Sequence, residues 1–287
     1  MKDKRQAAVG FIFITLIIDV MGWGLIIPVM PKLIAQLKGI AINQASTEGA
    51  LLISVYAITQ FLFAPIIGNL SDKYGRRPVL LASLLGFGID YIILALAPDY
   101  SWLFAGRIIA GITGASFTTA SAYIADISTA ETRAKNFGLI GAAFGIGFVI
   151  GPALGGLLAG FGLRAPFYAA AALCLLNALY GYFVLPESLA KENRRPFDWK
   201  RANPLGALRL LKKYPGIDGL ALCFFLIYLA AQAVQGNWNF FTMYRFNWSE
   251  STVGLSLAVV GLLVGGVQAG LTRVVNPRLG NEKSVYA

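Results

Sequence analysis

The sequence GNLSDKYGRRP, residues 68–78, is a short charged stretch between two long apolar segments. Its two glycines allow a sharp turn and a close approach of the backbone. The carboxylate of Asp72 stands beside a predicted helix start, where it can pair with Arg76 or Arg77 and interact favourably with the helix dipole. The spacing predicts a charge-paired turn between two membrane-spanning helices. The alternative is an ordinary basic loop that only fixes topology.

Eight apolar segments surround and follow this turn, and each has roughly the 20 residues that a helix needs to cross a bilayer. The chain is 57% hydrophobic and only 13% charged, about half the charged fraction of an ordinary soluble domain. These features predict an all-α membrane protein. The predicted spans are Ala8–Met30, Gly49–Leu70, Val79–Ala97, Trp102–Ile124, Phe137–Phe161, Ala165–Leu185, Ile217–Phe241 and Thr252–Thr272.

The composition excludes several kinds of functional site. Histidine is absent, and the two cysteines, Cys174 and Cys223, lie inside apolar segments, where we expect them to be small packing residues. This excludes a His-based catalytic site and a Cys/His zinc site, and it disfavours a disulfide scaffold. No paired catalytic carboxylates, nucleophile–base set or phosphate loop stands out, so we do not expect an enzyme.

The distribution of the 24 basic residues predicts the orientation of the chain. Nineteen of them fall on one side of the predicted membrane, four fall on the other, and Arg107 lies within a span. Because cytoplasmic loops carry an excess of Lys and Arg, both ends and the long loop are predicted to be cytoplasmic. The same distribution between spans argues against a nucleic-acid surface, despite a net charge of +10. The basic residues 1–6 precede an uncleaved first span rather than a signal peptide.

The chain is predicted to have three parts. Residues 1–185 form a six-helix transmembrane half, residues 186–215 a cytoplasmic linker, and residues 216–287 a partial second half with two helices. Leu279-Gly280-Asn281 follows the eighth span as Tyr74-Gly75-Arg76 follows the second, which is a weak internal repeat. We therefore expect about four further spans to belong to the complete architecture, either in a longer chain or in a functional unit made otherwise.

Three ionisable residues lie deep within the predicted spans. Asp19 and Asp90 are each roughly 17 Å from the cytoplasmic side, and Arg107 reaches a similar level from the other side. Charges at this depth are costly unless they pair or face a cavity, so the three are predicted to share one polar pocket. In one interpretation, Asp19, Asp90 and Arg107 carry protons or contact the substrate. In the other, Asp90 and Arg107 form a structural pair.

Further polar residues at membrane depth are candidates for substrate binding. They are Gln60 in the second span and Gln232, Gln235, Trp238 and Asn239 in the seventh. The alternatives are hydrogen bonds between helices for the amides and interfacial anchoring for Trp238.

The fifth span is rich in glycine and carries one proline. The pairs Gly141/Gly145, Gly147/Gly151 and Gly151/Gly155 have the small-xxx-small spacing that allows close helix packing, and Pro152 bends the helix. At the cytoplasmic end of the fourth span, Asp126 and Arg133 are predicted to form a second charge pair facing the Asp72 turn.

These motifs together resemble the major facilitator superfamily. Residues 68–78 look like its motif A, residues 106–111 (GRIIAG) like motif B, and residues 147–156, with Gly147, Gly151, Pro152, Gly155 and Gly156, like the antiporter motif C. Residues 19–31 are similar to the first-span motif of twelve-span drug:proton antiporters. The stretches GIDY at 88–91, GITGA at 111–115 and RFNW at 245–248 narrow the resemblance to the tetracycline-efflux type. Val264 stands where such exporters can carry histidine.

The resemblance implies proton-coupled efflux of a hydrophobic, tetracycline-like drug across a bacterial inner membrane. It implies that Mg²⁺ travels with the substrate as a chelate, with no cofactor and no metal site in the protein. The implied proton-coupling residues are Asp19, Asp90 and Arg107, and the implied gating residues are Gly68, Asp72, Gly75, Arg76, Arg77, Asp126 and Arg133. Two alternatives remain: a transporter of another small metabolite with the same fold, and a fragment without transport activity. The oligomeric state is left open.

Overall fold

A computed structural model describes residues 2–114, 116–204, 206 and 217–267, except for the side chains of residues 2–7, 116 and 218. Ten α-helices make up most of the described chain, joined by short turns and two brief 3-10 segments. They are α1 (Lys2–Ile26), α2 (Met30–Lys38), α3 (Ile42–Tyr74), α4 (Arg76–Leu96), α5 (Tyr100–Thr113), α6 (Ser116–Ile127), α7 (Ala130–Leu158), α8 (Ala165–Val184), α9 (Ile217–Phe246) and α10 (Glu250–Gly266).

Seven helical stretches are long and apolar enough to cross a membrane, with α5 and α6 together forming the fourth. The helix α10 is a shorter apolar helix at the start of the eighth predicted span. The all-α membrane architecture is therefore confirmed. The end of the eighth predicted span and the repeat at residues 279–281 lie outside the described residues, as does most of 205–216. The division at residues 185 and 215 stays a prediction.

The first predicted span, Ala8–Met30, is too long, because α1 ends at Ile26 and a turn covers residues 27–29. Pro28 explains this end, since its ring removes a backbone donor and disfavours helical geometry in the residue before it. Pro31 is tolerated in the first turn of α2, where the backbone N–H groups have no helical partner. The predicted loop after the first span is thus largely the helix α2.

The six-span part is organised around α1, which packs on α7 and α8, while α4 packs on α8 and α5. Its buried apolar residues form two clusters. The one nearer α2 contains Leu25, Val29, Leu94 and Phe167, and the one nearer the other end contains Ile12, Leu16, Leu80 and Tyr123. The polar residues of the middle of the membrane lie between these clusters along the helices.

Glycines on α7 bring it to backbone distance from α1. A Cβ on Gly151 would lie 2.7 Å from the carbonyl oxygen of Met21 and 2.9 Å from the Cα of Gly24. Gly147 meets α1 one turn further along, where a Cβ would lie 2.8 Å from the Cβ of Val20. Gly155 likewise lies against the backbone of Leu25. No side chain fits at these positions without a shift of one helix.

The opposite face of α7 packs against α10. A Cβ on Gly156 would lie 2.6 Å from the carbonyl oxygen of Glu250, and one on Gly254 would meet the backbone of Pro152. The motif at residues 147–156 therefore packs one helix of the six-span part against both α1 and α10. Close helix approach of this kind is the expected use of small residues in a membrane.

Among the described residues, the predicted close packing is absent at Gly141 and Gly145, because a Cβ on either would meet nothing there within 4 Å. Small residues also lie on the facing helices at two of the close contacts, Gly24 on α1 and Gly254 on α10.

We expect Gly151→Val to destabilise the protein and Gly141→Val to have little effect. The first change forces two backbones apart and should cost about 1–3 kcal/mol, the range for overpacked sites. The second is a matched control with the same helix-propensity cost in the same helix. The midpoint of heat-induced loss of the monodisperse peak in detergent would measure both. Equal losses would contradict the assigned packing of α7.

Candidate functional site

A buried ion pair joins α4 to α5 in the middle of the membrane-spanning region. Asp90 is 0% exposed and Arg107 6%, and the guanidinium of Arg107 donates a hydrogen bond to Oδ2 of Asp90. Charges without water are stable only when they are paired in this way. The predicted pairing of these two residues is therefore present.

The pair retains unused hydrogen-bonding capacity. Oδ1 of Asp90 and Nε of Arg107 have no hydrogen-bond partner among the described residues. Oδ1 lies beside Gly106, where a Cβ would stand only 2.6 Å away, so the absence of a side chain there makes room for the carboxylate. The arrangement can bind a proton or a polar group of a substrate without breaking the contact to Arg107.

Asp19 reaches the same region from α1, where it is partly buried. Asp19, Asp90 and Arg107 all lie within electrostatic range of the hydroxyl groups of Tyr56 and Tyr91. The hydroxyl of Tyr91 packs at Gly22, one turn after Asp19, where a Cβ would lie 3.0 Å from it. Asp19 thus lies one helical turn from the point where α1 meets Tyr91, the chain neighbour of Asp90, while the roles of Asp19, Asp90 and Arg107 stay predictions.

The two tyrosines at this site were not among the predicted site residues. Tyr91 stands next to Asp90 in the sequence, and Tyr56 lies at membrane depth in an otherwise apolar part of α3. A polar aromatic residue near an intramembrane charge is the signal that would have found them.

Gln60 links α3 to the break between α5 and α6. Its side-chain amide donates to the hydroxyl of Tyr56 and to the carbonyl oxygen of Gly114, each at 3.0 Å. Gly111 packs on the same part of α3, where a Cβ would lie 2.8 Å from the carbonyl oxygen of Tyr56. The alternative of a hydrogen bond between helices therefore describes the amide of Gln60 well.

The turn at residues 68–78 contains the predicted charge pairs. Gly75 separates α3 from α4 with a φ of 105°, a conformation that favours glycine. The largely buried guanidinium of Arg76 contacts Asp72 at 2.6 Å, Asp126 on α6 at 3.2 Å and the hydroxyl of Ser71 at 2.6 Å. One side chain thereby holds the ends of α3, α4 and α6 together. The carbonyl oxygen of Gly68 accepts a hydrogen bond from the same Ser71 hydroxyl at 2.7 Å, whereas a Cβ on Gly68 would meet no described residue within 4 Å.

The prediction that Asp126 pairs with Arg133 is wrong. Asp126 accepts hydrogen bonds from Arg76 and from Ser188, while the guanidinium of Arg133 lies 6.0 Å from the ring centre of Phe137. Arg133 is exposed at the start of α7, so water solvates it, whereas Arg76 is held against Asp126 by the turn. The guanidinium of Arg77 points elsewhere, to the carbonyl oxygen of Tyr182 at 2.5 Å.

Sequence reasoning missed the residues that follow α8. Glu187 accepts hydrogen bonds from the backbone N–H groups of Arg76 and Arg77, at 2.8 and 3.3 Å. Arg201 pairs with Asp72 at 3.4 Å. Residues 187–201, which we call the linker strap, therefore lie on the charged turn. A cavity of about 610 Å³ remains between them, lined by Asp72, Arg76, Asp126, Leu189, Glu192, Asn193, Arg194 and Arg195.

Polar contacts join the six-span part to α9 and α10 at the α2 end. Lys32 forms an ion pair with Glu250 at 2.8 Å, and Ser251 donates to the carbonyl oxygen of Gly156 at 2.8 Å. The buried Asn239 donates at 2.8 Å to the carbonyl oxygen of Ile27, which lies in the turn that ends α1. This hydrogen bond satisfies a backbone acceptor that the break in the helix leaves free.

The two parts separate toward the linker end. Every residue from 222 to 235 of α9 is exposed, including the predicted substrate-binding residues Gln232 and Gln235. On α10, a Cβ on Gly261 would meet Val149, but one on Gly265 would meet no described residue within 4 Å. Trp238 instead donates from Nε1 to the hydroxyl of Ser256 at 3.1 Å, within the α9–α10 pair. Among the described residues, the two parts are therefore in contact at the α2 end, whereas the linker half of α9 has no close neighbour.

Breaking the buried ion pair from one side should be costly. We expect Arg107→Gln to lower the free energy of unfolding by about 3–5 kcal/mol, because Asp90 would be left buried without its cation. The double change Asp90→Asn with Arg107→Gln should recover much of this loss. Thermal unfolding in detergent at pH 8 would measure both.

The pair of Lys38 and Glu48 provides the control for this experiment, because it is a more exposed ion pair of the same chain, with an Nζ–Oε1 distance of 2.5 Å. Lys38→Gln should cost about 1 kcal/mol or less. A double change at the buried pair that is as damaging as Arg107→Gln would contradict the assigned energetics.

Comparison with known proteins is consistent with this geometry. The family model described as Major Facilitator Superfamily matches residues 12–287. The chain is 44% identical to the tetracycline resistance protein, class C, of Escherichia coli over 99% of its own length and 71% of that protein. It is 41% identical to the class G protein of Vibrio anguillarum, covering 98% of this chain and 70% of that one.

Solved structures show the same fold at lower identity. The human organic anion transporter MFSD10 (TETRAN) has a TM-score of 0.74 at 24% identity, covering 95% of this chain and 73% of that one. A bacterial homolog of the human lysosomal transporter Spinster, in an inward-facing and unoccupied conformation, has a TM-score of 0.77 at 18% identity, covering 97% and 64%. The predictions of the fold family and of a transporter rather than an enzyme are confirmed: this chain is a multi-pass membrane protein that belongs to the Major Facilitator Superfamily.

Proposed function

We propose that the chain exports a hydrophobic, tetracycline-like drug in exchange for protons, by alternating access. The observation that carries this proposal is the 44% identity with a tetracycline resistance protein along nearly the whole chain. The buried Asp90–Arg107 pair and the nearby Asp19 support it, because ionisable groups inside a membrane are expensive and usually serve transport.

The chemistry of the site suits proton exchange. Asp19 and Asp90 are the groups that would take up and release protons, and Arg107 would shift the balance between the charged and neutral carboxyl of Asp90 through its own fixed charge. The substrate would be a chelate of a divalent metal such as Mg²⁺, so the ion would be part of the cargo. On α9, Gln232 and Gln235 are exposed and Trp238 is partly buried. All three stay candidates for contact with substrate.

The closed α2 end and the open linker end suit one stage of an alternating-access cycle. The excess of Lys and Arg on the linker side predicts that this side is cytoplasmic, with the N-terminus, in a bacterial inner membrane. The described arrangement would then face the cytoplasm, from which an exporter takes its substrate. The charged turn of Asp72, Arg76 and Asp126 would act as the gate on this side.

Transport in everted membrane vesicles tests the proposal. A pH gradient should drive uptake of tetracycline with Mg²⁺, measured beside unrelated drugs and beside a version of the chain extended to twelve spans with the corresponding part of a class C relative. Activity of the extended version alone would keep the function and make the 287-residue chain an inactive fragment. If neither the 287-residue chain nor the extended version takes up any of the drugs, drug export would be overturned and a metabolite transporter favoured.

Asp19→Asn should abolish pH-gradient-driven uptake in the active version while leaving the amount of folded protein unchanged. The amide keeps the shape of the side chain but cannot take up and release a proton in the pH range of the experiment. Glu131→Gln is the matched control, since it removes an exposed carboxylate at the start of α7 and should leave uptake unaltered. Wild-type uptake by Asp19→Asn would eliminate the proton-coupling role of this residue.

Asp72→Asn should lower the turnover number while equilibrium binding of tetracycline and Mg²⁺ is largely kept. The change removes the charge that pairs with Arg76 and Arg201 at the gate, far from the buried site. Binding to purified protein and uptake into vesicles would be measured on the same variant. Lost binding with normal turnover would show that the turn serves the substrate rather than the gate.

A further inference from the structure

The first backbone N–H groups of α4 lack hydrogen-bond acceptors within their own helix. The first N–H groups of a helix have no partner within it, and α4 begins with Arg76, Arg77 and Pro78. Pro78 has no N–H, so two donors remain at these positions. The N-cap residue is Gly75, which has no side chain to accept from them, and two arginines at a helix N-terminus oppose the helix dipole.

Glu187 supplies what this helix start lacks. Its Oε1 accepts from the N–H of Arg76 at 2.8 Å and its Oε2 accepts from the N–H of Arg77 at 3.3 Å. The carboxylate thus caps α4 from a position more than 100 residues away in the sequence and brings a negative charge to the positive helix end. It also accepts from the N–H of Leu189 at 3.0 Å, which fixes its own segment.

The glycine at the turn is needed for this contact. A Cβ on Gly75 would lie 2.7 Å from Cδ of Glu187 and 3.0 Å from a guanidinium nitrogen of Arg194. Glu187 therefore packs directly against the backbone of the turn, with the guanidinium of Arg194 within 3.8 Å of its Oε2. Position 75 therefore favours glycine for two reasons: its φ is positive, and Glu187 occupies the space that a side chain would need.

The rest of the linker strap follows the same turn. Asn69, which is 5% exposed, holds Asp198 at two points, donating to its carbonyl oxygen at 2.7 Å and accepting from its N–H at 3.4 Å. The N–H of Arg195 donates to the carbonyl oxygen of Asp72 at 3.1 Å. Ser188 donates to Asp126 at 3.1 Å. The strap is thus tied to the side chain of Asn69, to the backbone and carboxylate of Asp72 and to the carboxylate of Asp126.

We propose that Glu187 is the positioning residue of this gate. Its carboxylate fixes the start of α4, so that Arg76 faces Asp72 and Asp126 together, and it anchors the linker strap to the six-span part. The linker strap then moves with the six-span part, and only the residues between the strap and α9 connect the two parts. The role in a gate rests on the proposed transport function, whereas the anchoring of the strap does not.

Limited digestion with trypsin tests the anchoring without any transport. Trypsin can cleave the strap after Lys191, Arg194, Lys200 and Arg201, while Pro196 protects the bond after Arg195. Only the last three sites are followed, because Glu192 adjoins the bond after Lys191. Glu187→Gln in the full chain, in membranes, should raise the rate of cleavage at these sites about tenfold. Glu187→Asp keeps the charge and should give a smaller increase. Glu192→Gln, which removes an exposed carboxylate from the same strap, should leave the rate unchanged.

A cleavage rate for Glu187→Gln equal to that of the wild type, with equal protein in the membrane by immunoblot, would overturn the proposal. So would an equal increase in Glu192→Gln, because it would trace the effect to net charge. If Glu187→Gln fails to accumulate, Glu187→Asp carries the test, and a wild-type rate in that variant together with normal turnover would also count against the role.

Uptake kinetics in the transport-active version test the part in the gate. Glu187→Gln should lower kcat about tenfold with KM nearly unchanged, and Glu187→Asp should restore part of kcat. A purely structural role would lower the amount of protein and leave kcat per molecule as it is. Faster cleavage with an unchanged kcat would overturn the gate role. Absence of uptake by both the 287-residue chain and its extended version would overturn the proposed function alone, since the digestion result would still decide the anchoring.

Discussion

The ion pair of Asp90 and Arg107 lies where no water can solvate either charge, and much of the six-span part is arranged around that constraint. The pair joins α4 to α5, and Gly106 leaves the space that the second oxygen of Asp90 occupies. Replacing such a pair with apolar residues often costs nothing in stability, so its presence is better explained by function than by folding. Tyr91 and Asp19 complete a polar region between two apolar clusters.

A second constraint is the close packing of α7, which decides where the two parts of the chain meet. Gly151 lies on the backbone of α1, and Gly156 lies on the start of α10. Because both contacts are at backbone distance, α7 cannot rotate or slide on its own without separating from one partner.

The sequence was sufficient for what depends on local composition. The spans follow from length and hydropathy, and the charged turn follows from the spacing of Asp72, Gly75 and Arg76. The buried pair of Asp90 and Arg107 was predictable because a charge deep in a membrane has few possible partners. The end of α1 was predictable in principle from Pro28, but the hydropathy of the segment outweighed it.

Contacts between distant segments were not predictable in the same way. Glu187 and Asn69 bind backbone groups, so no complementary side chain in the sequence points to them. Arg133 and Asp126 are close in sequence and opposite in charge, yet the turn places Arg76 nearer to Asp126 and Arg133 stays in water. Which of two cations reaches a carboxylate depends on how the helix ends meet, and this is a property of the tertiary packing.

The two ends of the molecule use their charges differently, and this difference bears on how the state could change. At the α2 end, Lys32 and Glu250 pair across the boundary between the two parts. At the linker end, the described partners of Asp72 all belong to residues 1–204, namely Arg76, Arg201 and the N–H of Arg195. Among the described residues, the charged turn thus finds its partners within the six-span part and the strap that follows it. Of the two cations on Asp72, Arg201 is the more exposed, whereas the largely buried Arg76 also contacts Asp126 and so holds the helix ends together.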